Sequence, residues 1–167
     1  MKTATQPVIR ASKITVLSFF GAYAGLVTLG NLVDPSTNLL FVEHVLSMDT
    51  TFQSENLMER AITAPWMHRV AFAAIVITEA LISILCLWGS IRLFRARAES
   101  ANDFHAAKST ALVGLSLGLG LWFLGFQAVG GEWFASWQSE SWNGLSAASR
   151  ITTFILGALI FVSLKND

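Results

Sequence analysis

The sequence predicts an all-α membrane protein: a four-transmembrane-helix bundle, N-in and C-in, with short interfacial helices in the two outer loops. Three observations predict it. Hydrophobic residues make up 53% of the chain and charged residues only 13%, about half the charged share of a soluble domain. Four segments approach the ~20 residues needed to cross a ~30 Å hydrocarbon core. Lysine and arginine gather on one side of those segments. With 167 residues and a mean hydropathy of +0.56, the chain reads as a single integral membrane domain over 1–167, with no soluble domain left over.

The first span is Ile14–Val33, closed by Asp34-Pro35. An A-x-A pattern at Ala22–Ala24 has the form of a secretory cleavage site, but the apolar run continues well past it, so the span is retained. The second span runs from about Met67 to Phe94. The third is Thr110–Val129, closed by Gly130-Gly131, and the fourth is about Leu145–Leu164. Lys2, Arg10, Lys13, Arg92, Arg95, Arg97, Lys108 and Lys165 fall on one side; Arg60, Arg69 and Arg150 complete the eleven cations on the other. The positive-inside rule then puts both termini in the cytoplasm. The loops Asp34–Trp66 and Gly130–Gly144 then face outward, as in a multi-pass membrane protein.

Composition also excludes functions. A formal net charge of zero leaves no electrostatic footprint for nucleic acid. Cys86 is the sole cysteine, so no internal disulfide and no CxxC redox pair can form. No Ser-His-Asp order, HExxH or glycine-rich phosphate loop occurs.

Packing between spans is expected through small residues, because lipid tails are as apolar as the side chains they touch. Gly21 and Gly25 form a GxxxG pair, with Ser18 and Thr28 on the same stripe. Ala107, Ala111, Gly114, Gly118 and Gly125 form a second stripe on span three. In span two, Glu79 stands near mid-membrane, and Ser83, Cys86, Ser90 and His68 share its face at 100° per residue. An acid there must face the bundle or a partner chain. It serves either as a proton-active or ligand-binding carboxylate, or as a hydrogen-bonded structural acid. His68 cannot share a small ligand with Glu79 along one straight helix, since eleven residues at ~1.5 Å rise put them ~16 Å apart.

The outer loops carry two patterned stretches. Asn38–Asp49 has helical periodicity, with Phe41, Val45 and Met48 on one face and His44 beside them, as for a helix lying in the interface. His44 and Met48 at i and i+4, with His68 as a third, are weak candidate metal ligands of the kind that suits copper. "GGEWFASWQSESWNG" at Gly130–Gly144 holds Trp133, Trp137 and Trp142. Trp133 and Trp137, four apart, predict a short helix with its indoles at the headgroup level. The other reading is an aromatic cage for a cation, with Glu132 or Glu140 as the acid.

These stretches carry a resemblance. "FVEHVLSMDTTF" at Phe41–Phe52, Asn31 and Asn38, Glu79, and "GFQAVGGEWFASWQSESWNG" at Gly125–Gly144 resemble a bacterial family of predicted small integral membrane proteins, domain of unknown function 2165. The resemblance implies four membrane helices in a bacterial inner (plasma) membrane and no particular activity.

Arg150 lies inside the expected start of span four, where an unpaired guanidinium is costly; it is expected to snorkel or to pair with Glu132 first and Asp49 second. The leading functional expectation is a non-enzymatic membrane subunit. Its outer segments would fold over the bundle mouth and bind lipid, a membrane-protein partner or a second copy. Two alternatives stay open. One is an oxidoreductase or cofactor-binding subunit holding a metal, haem or quinone. The other is a small proton-coupled transporter using Glu79.

Overall fold

A computed structural model describes residues 5–165, and every regular element among them is helical. The order is α1 (Thr5–Val33), α2 (Pro35–Ser47), the single turn α3 (Glu55–Met58), α4 (Pro65–Arg95), α5 (Ala101–Ala106), α6 (Ser109–Leu119) and α7 (Leu145–Ser163). Helix α6 continues without a break as a π-helix over Gly120–Trp133. Four runs are long and apolar enough to cross a membrane: α1, α4, the α5–α6–π run and α7. Pro35 and Pro65 are the first residues of α2 and α4, where the missing N–H removes no helical bond.

The spans form a ring in the order α1, α4, α6, α7, and α7 returns to α1 with the lightest contact of the four. The expected Gly21, Ala111 and Gly114, joined by Gly89 of α4, set how closely the helices approach. A Cβ on Gly21 would lie 2.9 Å from Leu87, one on Gly89 would lie 2.8 Å from the Ala111 backbone, and one on Gly114 would lie 2.8 Å from Cys86 Sγ. The Ser83 hydroxyl donates across the α1–α4 seam to the Gly21 carbonyl at 2.8 Å. Ser18 and Thr28, by contrast, donate to carbonyls of their own helix. Outward, Phe19, Leu26, Ile77, Ile84 and Phe154 are exposed, as side chains facing lipid should be.

Two expectations about span three are corrected. The glycines at 130 and 131 do not end it; the helix runs on to Trp133. The reason is a change of helix type. The Phe134 N–H reaches back five residues to the Val129 carbonyl at 3.0 Å, and glycines at 120, 125 and 130 repeat at that same step. π-Helix is rare, occurs mostly as single turns and favours functional sites; here it occupies fourteen residues. The same change truncates the small-residue stripe. Gly118 faces Phe20 and Ile155, but a Cβ on Gly125 would meet only the Gly120 carbonyl and Leu121 of its own helix.

At the end holding the termini, the C-terminal turn of α7 is capped by buried cations. Lys13 Nζ and Lys108 Nζ both donate to the Leu164 carbonyl, at 2.6 and 2.7 Å. Cations at a helix C-terminus satisfy orphan carbonyls and complement the dipole. Arg10 donates to the Arg97 and Glu99 carbonyls at 2.9 and 2.8 Å and lies over the Phe104 ring.

Candidate functional site

Glu79 is buried, and so are Ser83, Cys86, Ser90 and His68 on its face of α4. The polar seam therefore faces the bundle, as its cost in lipid requires. The partner of Glu79 is Asn31 on α1, whose amide donates to Oε2 at 2.6 Å. Asn31 continues the spacing of the other buried α1 residues, Lys13, Leu17, Phe20 and Ala24. A repeat of three and four carried one heptad past Ala24 arrives at it. That signal was present in the sequence, and no partner can be assigned without knowing that α1 and α4 are neighbours.

Toward the termini from Glu79 the bundle is solid, with Leu17, Ile82, Cys86, Leu115 and Ile155 fully buried in one cluster. Toward the loops it is not. Glu79 and Asn31 line a cavity of about 360 Å³ whose walls include Phe72 of α4 and Trp122 and Phe126 of the π-helix. Phe41 and Asn38 of α2 also line it. A second cavity of about 210 Å³ shares Asn38, Phe41, Trp122 and Phe126 and adds Tyr23 of α1 and Ala147, Ala148 and Ile151 of α7. It lies at the lightly packed seam between α1 and α7. A third, of about 210 Å³, is lined almost wholly by apolar side chains, among them Val45, Ile75 and Leu121.

Helix α2 crosses the loop end above these spaces. Asp34 caps it, accepting hydrogen bonds from the Ser36 and Thr37 hydroxyls at 2.7 Å each. Those donors hold its carboxyl below the usual aspartate range. At the other end Met48 adopts a left-handed backbone, φ 55°, and its side chain is fully buried with Val45, Phe134 and Ala135. The chain after α2 is laced to the chain after the π-helix. Thr50 and Ser139 share a hydroxyl hydrogen bond of 2.8 Å, and the Phe52 N–H donates to Gln138 Oε1 at 2.9 Å. Both loop motifs of the sequence thus belong to one cover.

Within that cover the candidate residues are distributed as follows. His44 Nδ1 pairs with Asp49 at 2.8 Å, and its ring stacks on Trp142 with centroids 4.4 Å apart. His68 Nε2 lies 2.6 Å from the Ile62 carbonyl, on a different helix from His44. Among the described residues no three His, Cys, Asp or Glu side chains gather as metal ligands. The short helix expected to carry Trp133 and Trp137 is absent. Ala135 turns the chain with φ 53°, leaving only a 3₁₀ turn at Ser136–Gln138. The tryptophans therefore part: Trp133 meets Arg60, Trp137 meets Phe52 edge-on, and Trp142 meets His44. Trp133 and Trp137 are half-exposed, and Glu132 is exposed beside them.

The pairing expected for Arg150 is also corrected. Arg150 is exposed and, among the described residues, makes no ion pair with Glu132 or Asp49. Asp49 is held by His44 instead, and the π-helix leaves Glu132 exposed. The rings that do converge on an acid are those of the interior, around Glu79. Trp122 and Phe126 gave no signal for this, since aromatic residues in a span face lipid as readily as a cavity.

Residues 9–165 match the family described as predicted small integral membrane protein, domain of unknown function 2165. The chain belongs to this family. Four membrane-spanning helices in the structure agree with the description of these small integral membrane proteins. The chain matches no curated protein and no solved structure.

Proposed function

We propose that this member of the family is a non-enzymatic, multi-pass subunit of a bacterial inner membrane that holds a lipid-like molecule beneath its cover. In this reading both termini face the cytoplasm, following the eight-to-three division of lysine and arginine. The second cavity, at the seam of α1 and α7, then lies in the outer half of the bilayer and adjoins the Glu79 cavity through the shared Asn38, Phe41, Trp122 and Phe126. The carrying observation is the buried Glu79–Asn31 pair at the floor of an aromatic-walled cavity of about 360 Å³. That size is at the lower end of small-molecule sites, and the mix of mostly apolar walls with few polar groups is theirs as well. The filled core on the terminal side of Glu79 supports binding rather than passage.

The test is native mass spectrometry of protein extracted directly into lipid nanodiscs. A bound small amphiphile should accompany the wild type. Ala147→Phe, which narrows the α7 side of the opening at an exposed position, should lose it while melting like wild type. Recovery of an empty protein, or retention of the amphiphile by Ala147→Phe, overturns the reading.

A further inference from the structure

Resting on that binding reading, the cavity's chemistry narrows its occupant. Glu79 is 3% exposed, and only Oε2 has a partner among the described residues. No lysine, arginine or histidine lines either aromatic-walled cavity. The remaining polar side chains there are few, chiefly Asn31 and Asn38. An ionised carboxylate held in apolar surroundings without a cation is unfavourable. The walls themselves favour positive charge, because each aromatic ring presents a negative face. Phe41, Phe72, Trp122 and Phe126 surround the same space as the acid, and Tyr23 lies 6.3 Å from the Trp122 ring on the side of the opening.

We infer that the cavity binds an organic cation, an alkylammonium group seated between the Glu79 carboxyl and the faces of the aromatic rings. A hard metal ion fits the site poorly, since calcium or magnesium takes six or more oxygens and the walls are mainly carbon. A phosphate would meet the acid with like charge. A plain acyl chain would leave the carboxyl unmatched. The apolar substituents of the ammonium occupy the adjoining space toward Ala147, Ala148 and Ile151. Two sources share this chemistry: the ammonium of a zwitterionic lipid headgroup, and a free hydrophobic amine. The exposed Arg150, three residues beyond Ala147 on α7, stands where the phosphate of such a lipid would emerge.

The test uses the full chain in a non-ionic detergent, following tryptophan fluorescence against benzyltrimethylammonium and its uncharged isostere neopentylbenzene. The cation should bind at least tenfold more tightly, and Glu79→Gln should sharply reduce that preference, leaving only the share the rings supply, while keeping affinity for the isostere. Should Glu79→Gln fail to fold, Phe126→Leu removes a ring and keeps the acid; it should weaken the cation more than the isostere. Equal binding of the two probes, or a preference undiminished in Glu79→Gln, overturns the inference. An amphiphile retained in nanodiscs without any cation preference does so too, yet leaves the binding reading intact. Nanodiscs of phosphatidylethanolamine that displace the probe where phosphatidylglycerol does not identify a lipid headgroup, and Arg150→Gln should then weaken that displacement. Failure of both lipids to displace a tightly bound probe identifies a free amine.

Discussion

Two glycine-to-alanine substitutions, chemically identical, should move stability in opposite directions. At Gly89 a Cβ would stand 2.8 Å from both the Cα and the N of Ala111 and 2.9 Å from its Cβ. Carbon atoms pack best at ~3.5–4.0 Å, so α4 and α6 would have to separate by roughly 0.7 Å. The obstructing atoms are mostly helix backbone, which cannot rotate away. Overpacking of this kind costs about 1–3 kcal/mol. Alanine recovers roughly 0.5–1 kcal/mol of helix preference over glycine. The net expectation for Gly89→Ala is a loss of about 0.5–2 kcal/mol. At Gly157 of α7 a Cβ would meet nothing within 4 Å, so only the preference remains and Gly157→Ala should gain about 0.4–1 kcal/mol. Unfolding equilibria in mixed micelles measure both on one scale. Equal shifts for the two variants would refute the close α4–α6 approach, and stabilisation by Gly89→Ala would refute the ring order.

The Asn31–Glu79 bond gives a second test. Asn31→Leu leaves the buried carboxyl without its donor and should cost about 1–3 kcal/mol. Adding Glu79→Leu should cost less than the sum of the single changes, and simple additivity would show that the two do not interact. Asp34 supplies a pH dependence. Its folded carboxyl is held below the usual range, so its contribution is present above the unfolded aspartate pKa and is lost as pH falls through the lower folded value. Asp34→Ala should therefore lower the melting temperature at neutral pH and flatten the acid limb of the stability curve; an unchanged acid limb contradicts the cap. A cytoplasm-dependent reporter should be active when fused within Arg97–Asp103 and silent when inserted near Thr51, and activity at Thr51 would reverse the proposed orientation.

The features legible in the residues alone are those set by short-range physics. Twenty-residue apolar runs and small residues at helical spacing place four spans and their contact faces. Each of those signals acts within a helix turn or depends only on the solvent around it. Helix α7 covers Leu145–Ser163, almost the expected Leu145–Leu164, and the seam of Glu79 faces inward because lipid leaves it no other stable choice. Tertiary structure decided the rest, because it depends on which surfaces meet. The partner of Glu79 lies 48 positions away in sequence. The π-helix carries the span past a glycine pair that reads as a stop, four residues beyond Val129 to Trp133, and leaves Glu132 exposed. The left-handed turn at Ala135 divides tryptophans that helical spacing would have joined. The aromatic enclosure around an acid, sought in the outer tryptophans, is assembled instead from Phe41, Phe72, Trp122 and Phe126 on three separate helices. Only when α2 folds over the bundle are those rings brought to one cavity.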